Sequence, residues 1–454
     1  MDSASGRSSV DDIVARLERL PTSWWQVKAR IIVGVATFFD AFDALAIASI
    51  LPVIVPLWKL TPPQIGLMIS AGFLGQLLGA LLFGWIAERY GRMTAMIWSI
   101  ALFGIMSLVC ALAWDYNSLL VFRTIQGIGL GGEVPVAAVF ISELAKAQGR
   151  GRFVLLYELV FPIGLVAASL VGLWVVPHLG WQYMFVIGAL PALLTLVLRS
   201  LLPESPRWLA VRGRDAEAQA AMTLIETETQ KATGRPLPPP KPVVSTLDKP
   251  ASLADLFGPL YLRRTLVVWV IWFSSYFVNY GLSIWLPTVY RTVFKLPVQQ
   301  SLQYTMVTPV VGVIAALACA YFIDITGRKP WFSVSFLLGS LPLFVLAFGG
   351  ADSAFNVMLM STLSWFFITT ISLGLYLYSA EIYPTRVRAL GTGTGTAWLR
   401  LASIIGPFVV GMILPAGGLG GVFMMFAIAA LVGGIVTLVF GMETRGRILE
   451  ELSP

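Results

Sequence analysis

Apolar runs about 20 residues long, the length a helix needs to cross ~30 Å of hydrocarbon, alternate along this chain with short polar breaks. They fall near 31–57, 65–87, 93–114, 118–142, 153–176 and 182–202, and again near 265–290, 303–323, 330–349, 355–379, 391–415 and 419–441. The pattern predicts twelve membrane-spanning helices, six in residues 31–202 and six in 265–441. Residues 1–30 are polar and carry DDIVARLERL, which suits a short amphipathic cytoplasmic helix rather than a cleavable signal peptide. The polar stretch 203–264 predicts a helix near 214–230. PLPPPKPVV follows from Pro236, too proline-dense for helix, and reads as an extended, passive tether. Residues 442–454 form a cytoplasmic tail.

The polar breaks repeat. GWIAERYGR at 84–92 has a near copy in AYFIDITGRK at 320–329, and Glu88/Asp324, Glu143/Glu381 and Glu204/Glu443 recur at offsets of 236 to 239 residues. A parallel repeat of half the chain, filled with apolar spans, is a transporter signature. The expected fold is an all-α membrane protein with twelve transmembrane helices in two pseudo-symmetric six-helix bundles.

Composition agrees, with 57% hydrophobic and 12% charged residues, against ~25% charged in a soluble domain. Of the 31 Lys and Arg, 26 fall on one side of the predicted spans; Lys59, Arg291 and Lys295 lie on the other, and Arg123 and Arg400 sit within spans. The positive-inside rule places both termini and the central loop in the cytoplasm. The net charge of +7 then reflects topology and anionic lipid headgroups, not nucleic acid. Cys110 and Cys319 lie inside apolar runs, which predicts neither a disulfide framework nor a metal site, and His178 reads as an interfacial residue. No nucleophile–base set or phosphate-cradling loop stands out, so no enzyme and no cofactor are expected; the partners are a small molecule and membrane lipids, and the chain is expected to be a monomer.

Charges inside spans carry the chemistry, because each costs ~2.5–3.5 kcal/mol at the centre of an isolated helix. Asp40 and Asp43, three residues apart, share one helix face. Two close carboxylates repel when both are ionised, and a proton relieves that, so they are candidates for proton coupling. One of them could instead pair with a neighbouring base. Gln126 and Glu133 lie on one face of the fourth span, with Glu133 a further coupling candidate and Glu158 a possible relay. Arg400, in GTAWLRLASIIGP, has no acid within a turn and needs a partner across the cavity: a substrate carboxylate, or a permanent salt bridge to Asp40 or Asp43. Tyr276, Asn279, Tyr280, Tyr376 and Trp398 are candidates to shape a site for a flat ring; the remaining aromatics of the second half read as lipid-facing or packing residues. Glu88, Arg89 and Arg92 are expected to pair with helix ends and charges of the opposite bundle when the cytoplasmic side is shut, as a cytoplasmic gate, or else to be static topology anchors; Glu143, Arg152, Asp324, Arg328, Glu381 and Arg388 belong to the same layer, with Arg207 and Glu443.

These motifs resemble the major facilitator superfamily along essentially the whole chain. Gly84, Glu88, Arg89, Gly91 and Arg92 match its loop motif G-x-x-x-[DN]-R-x-G-R-[RK], with Glu88 for the acid and Met93 in place of a base. RTIQGIGLGGE at 123–133 is similar to its fourth-span motif and PESPRWL at 203–209 to that of sugar and organic-ion porters. FFDAFD, NYGLSIWLPTVY and AEIYPTRVRALG resemble the cluster of aromatic-acid:proton symporters, niacin transporters, organic ion transporters and synaptic vesicle glycoprotein 2. Ala41 replaces the Gly of the symporters' D-G-F-D. The resemblance implies that Arg123 couples protons with a first-span acid, Asp40 or Asp43, and that an arginine at Arg400 goes with anion carriers. The short loop at 58–64 and the lack of an N-x-S/T sequon suit a bacterial inner-membrane protein. The expected function is proton-coupled import of a small organic anion, an aromatic carboxylate like benzoate or nicotinate, by alternating access. The alternatives are a carrier of organic cations or neutral, sugar-like solutes, an exporter, or a non-transporting ligand sensor.

Overall fold

The computed structural model describes residues 2–21, 23–144, 160–240, 252–259, 261–383 and 385–445. The first half contains α1 (Asp2–Glu18), α2 (Trp24–Trp58), α3 (Pro62–Tyr90), α4 (Arg92–Ala111), α5 (Tyr116–Leu144), α6 (Val160–His178), α7 (Gln182–Gly188) and α8 (Pro191–Leu201). The linker holds α9 (Pro206–Val211) and α10 (Asp215–Thr233), and the second half α11 (Leu262–Thr292), α12 (Val298–Thr326), α13 (Arg328–Val345), α14 (Ala354–Ile382) and α15 (Thr385–Phe440). Helix starts follow local chemistry: Ser23 with Gln26, and Thr61 with Gln64 just ahead of Pro62, form capping boxes.

Among the described residues eleven segments are long and apolar enough to cross a membrane. The last, Leu390–Phe440, runs 51 residues, about 77 Å at 1.5 Å per residue. That is two crossings, and the chain breaks between them at Gly418, whose φ of +60° leaves helical geometry. Twelve spans result, as expected for two bundles of six.

Small residues set the packing. A Cβ on Gly75 would lie 2.1 Å from the Thr124 carbonyl oxygen, and one on Gly131 only 1.9 Å from that of Gln76, so the glycines of RTIQGIGLGGE let α3 and α5 touch backbone to backbone. Between the bundles, α3 meets α15 at the end remote from the termini. Ser70 Oγ donates to the Ile404 carbonyl at 2.6 Å, and Gly66 and Gly411 back onto Pro407 and Pro62. One buried apolar cluster joins both bundles; a second is confined to the first bundle's terminal end together with α1, α9 and α10.

The repeated charges converge on two arginines. Arg92 bridges Glu88 at 3.0 Å and Glu143 at 3.0 Å; Arg328 bridges Asp324 at 2.8 Å and Glu381 at 2.8 Å. Glu204 accepts from the Arg92 amide at 3.0 Å and Glu443 from the Arg328 amide at 3.0 Å. Each carboxylate fills the space beside Gly91 or Gly327, with φ of +108° and +94°, where a side chain would be strained and in collision. Burial raises the Glu204 pKa against the lowering effect of the amides of Ser205, Met93 and Arg92. Arg89 is exposed and stacks on Trp85 and Tyr90, and Arg388 donates to the Tyr383 carbonyl. In this conformation each arginine cluster closes within its own bundle, because each arginine meets acids on its own neighbouring helices. Arg152 and Glu158 lie outside the described residues.

The linker helix α10 docks on α1; residues 241–244 of the proline-rich stretch lie outside the described residues. Arg16 and Arg19 both reach Glu226 of α10, at 2.7 and 2.6 Å, Arg207 meets Glu18 at 3.6 Å, and Arg19 also donates to the Pro238 carbonyl. Ile13 and Leu17 are buried, each contributing roughly 1.5–3 kcal/mol. Burial pushes the Glu226 pKa up, but hydrogen bonds and charge from Arg16 and Arg19 outweigh it and hold the carboxyl below its usual range. Its contribution is therefore present above the ordinary glutamate pKa and is lost as pH falls through the lowered folded value. Glu226→Gln is expected to speed amide exchange across residues 10–20 severalfold at neutral pH without changing exchange in α3 or α5; unchanged exchange in α1 would show that the apolar contacts alone hold it.

Candidate functional site

Asp43, Arg123 and Gln126 form a buried knot in the first bundle. Arg123 Nη1 donates to both Asp43 oxygens at 2.9 and 2.7 Å and to Gln126 Oε1 at 2.9 Å. Gln126 Nε2 returns a bond to Asp43 Oδ1 at 2.9 Å and reaches Ser107 at 2.6 Å. Asp43 is 2% exposed and Arg123 4%. Such a pair survives in low dielectric only because hydrogen bonds saturate it. A turn away on the same helix face, Asp40 is equally enclosed at 5%, yet its Oδ1 makes no hydrogen bond among the described residues. Glu133, fully buried, accepts from Thr37 Oγ1 at 3.1 Å, so α5 contacts α2 at a second polar level.

Arg400 projects from mid-helix in α15 and hydrogen-bonds Gln76 of α3 across the bundle interface. No carboxylate lies within 4 Å of it among the described residues, so neither Asp40 nor Asp43 is its ion-pair partner here. Tyr280 lines a cavity of about 810 Å³, counting the part open to solvent, walled by α2, α6, α11, α12 and α14; Arg400 is not among its lining residues.

Tyr276, Asn279 and Tyr280 line that cavity, with Asn279 Nδ2 donating to Thr369 Oγ1 at 3.2 Å. Tyr280 also packs on Phe73 of the other bundle, ring centroids 5.0 Å apart. Tyr376 and Trp398 are not among the lining residues: Tyr376 sets its edge against Trp272, which stacks on Tyr276, and Trp398 packs on Trp269 and Phe273. Tyr376 thus reaches the cavity wall through Trp272 and Tyr276, whereas Trp269 and Phe273, which Trp398 touches, are not among the lining residues. Gln76, Phe73, Trp365 and Thr369 had no signal in the sequence, because they are ordinary residues in apolar runs. Trp365, taken as a packing or lipid-facing aromatic, is a buried cavity wall.

Two six-helix bundles meeting around a central cavity, with charges buried at the contact, define a membrane transporter of a small organic substrate. A family profile described as "Sugar (and other) transporter" matches residues 33–454. The chain belongs to this family of the major facilitator superfamily. It is 35% identical over 449 residues to the niacin transporter NiaP of Acinetobacter baylyi, covering 97% of this chain and 99% of the relative. With the putative niacin/nicotinamide transporter NiaP of Bacillus subtilis it shares 30% over 92% of this chain and 96% of the relative. In fold it is similar to the partially occluded inward-open xylose transporter XylE from E. coli, with a TM-score of 0.75 at 19% identity, over 94% of this chain and all of the other.

Proposed function

We propose that this protein imports a small aromatic carboxylate of the nicotinate or benzoate kind together with protons, by alternating access between its bundles. Arg400 carries the reading: an always-charged guanidinium at the contact of the two bundles, tied to a neutral glutamine. A carboxylate displacing Gln76 would gain a two-pronged, charge-assisted bond in low dielectric. The names of the niacin transporters support the same class, since niacin is a pyridine carboxylate.

Proton coupling is assigned to Asp40. Asp43 is held by hydrogen bonds from Arg123 and Gln126, whereas Asp40 Oδ1 can take a proton without breaking any hydrogen bond among the described residues. Asp40 would then carry the proton and Arg400 the substrate carboxylate through the same change of conformation. With the termini in the cytoplasm, the α3–α15 contact would lie on the outer side.

The test is uptake in proteoliposomes with and without a pH gradient, across benzoates, nicotinate, aliphatic acids, organic cations and sugars. Asp40→Asn is expected to abolish gradient-driven accumulation while one-for-one exchange of substrate continues. Accumulation by Asp40→Asn equal to that of wild type would sink the assignment, and transport confined to cations or sugars would sink the anion reading.

A further inference from the structure

The polar groups around the cavity are mostly occupied by one another. Thr305 donates to the Ser301 carbonyl at 2.8 Å, Ser283 to that of Asn279 at 2.9 Å, Thr308 shares a bond with Thr362 at 3.2 Å, and Ser372 one with Ser275 at 2.7 Å. Trp365 differs. It lines the cavity, is 3% exposed, and its indole Nε1 is buried with no hydrogen-bond partner among the described residues. The tryptophans of the facing helix all have acceptors: Trp269 in Thr394, Trp272 in Ser379, Trp285 in the Pro407 carbonyl. Nor can the Trp365 ring swing freely to find one. Its six-membered edge sits on Gly312 so closely that a Cβ there would lie 2.4 Å from Cζ3.

A buried indole N–H usually finds an acceptor, and one left without it carries its full desolvation cost. Nothing charged lines this part of the cavity among the described residues, so the acceptor that suits it is neutral. We infer that Trp365 is a specificity residue whose N–H bonds an uncharged acceptor on the substrate's ring, the ring nitrogen of a pyridine carboxylate. This rests on the aromatic-carboxylate reading and narrows it from aromatic acids in general to N-heteroaromatic ones. A pyridine nitrogen is unprotonated at neutral pH and accepts one hydrogen bond in the ring plane; benzoate presents a C–H there and leaves the indole unsatisfied. A site built to bond a group penalises the analogue that lacks it.

The experiment is competition by nicotinate and benzoate against labelled nicotinate in proteoliposomes of the full chain, for wild type, Trp365→Phe and Trp365→His. Wild type is expected to prefer nicotinate over benzoate by about tenfold, the worth of roughly one neutral hydrogen bond. Trp365→Phe should bring the two within about twofold by weakening nicotinate alone, and Trp365→His, which keeps a ring N–H, should restore part of the preference. Equal weakening of both acids by Trp365→Phe would make the residue a packing element and overturn the inference. Equal affinity of wild type for the two acids would overturn it too, whether or not the variants fold, while leaving the aromatic-carboxylate reading intact. Failure of wild type to transport either acid would remove that reading and this inference with it.

Discussion

Arg400→Gln is expected to reduce nicotinate uptake by about a hundredfold or more, with the protein still inserted and folded. Two hydrogen bonds to a charged group contribute about 1.5–3 kcal/mol each, and glutamine can replace neither the charge nor the fork. Arg400→Lys should recover only part, because a point charge cannot make the planar two-pronged contact. Folding survives because Arg400 is bonded to the neutral Gln76, so its removal strands no buried opposite charge. Gln76→Ala separates the two roles: it releases the guanidinium and should leave anion uptake within a fewfold of wild type. Uptake measured at saturating and subsaturating nicotinate distinguishes lost binding from lost turnover. If Arg400→Gln carries nicotinate as well as the wild type does, Arg400 is a structural residue and the anion site lies elsewhere.

Asp43→Asn should behave differently, as a stability defect first. Removing one partner of a buried, hydrogen-bonded pair costs about 3–5 kcal/mol, since the other charge is left unpaired. Arg123 would be that charge, fixed against Gln126 and Phe185 with no second carboxylate bonded to it. The expected result is a loss of several degrees or more in the thermal midpoint of the purified protein, followed by intrinsic tryptophan fluorescence. The double change Asp43→Asn, Arg123→Gln should regain much of that stability, because it removes both charges, yet remain unable to accumulate substrate. Asp40→Asn, in contrast, should leave the midpoint unchanged or higher, since Asp40 has an unbonded oxygen to lose. A midpoint for Asp43→Asn equal to that of Asp40→Asn would mean that the two carboxylates are not divided as the hydrogen bonds divide them.

The repeat and the spans were legible because hydrophobic runs and paired charges are local patterns. Even the break at Gly418 falls between two predicted spans. The charged layer was half legible: the acids and bases that belong together are marked by their nearly equal offsets, but an offset cannot say whether Arg92 meets Glu143 on its own bundle or an acid on the other. The linker helix was legible but its docking was not, because its partner, α1, lies some 200 residues earlier, and only Arg16 and Arg19 converging on Glu226 reveal the joint.

Sequence alone determined that this chain crosses a membrane twelve times as a duplicated carrier, and that Asp40, Asp43, Arg123 and Arg400 are the charges that must be accounted for. It did so because an ionised group in hydrocarbon is costly wherever the helix packs. Only the tertiary structure decided how the cost is met: Asp43 by Arg123, Arg400 by Gln76 across the bundle interface, and Asp40 by neither. The same holds for Trp365, whose unsatisfied N–H depends on which helices enclose it. Hydrogen bonds are directional contacts of a few ångströms between groups distant in the chain, and helical spacing constrains which face a residue occupies, not what it meets there.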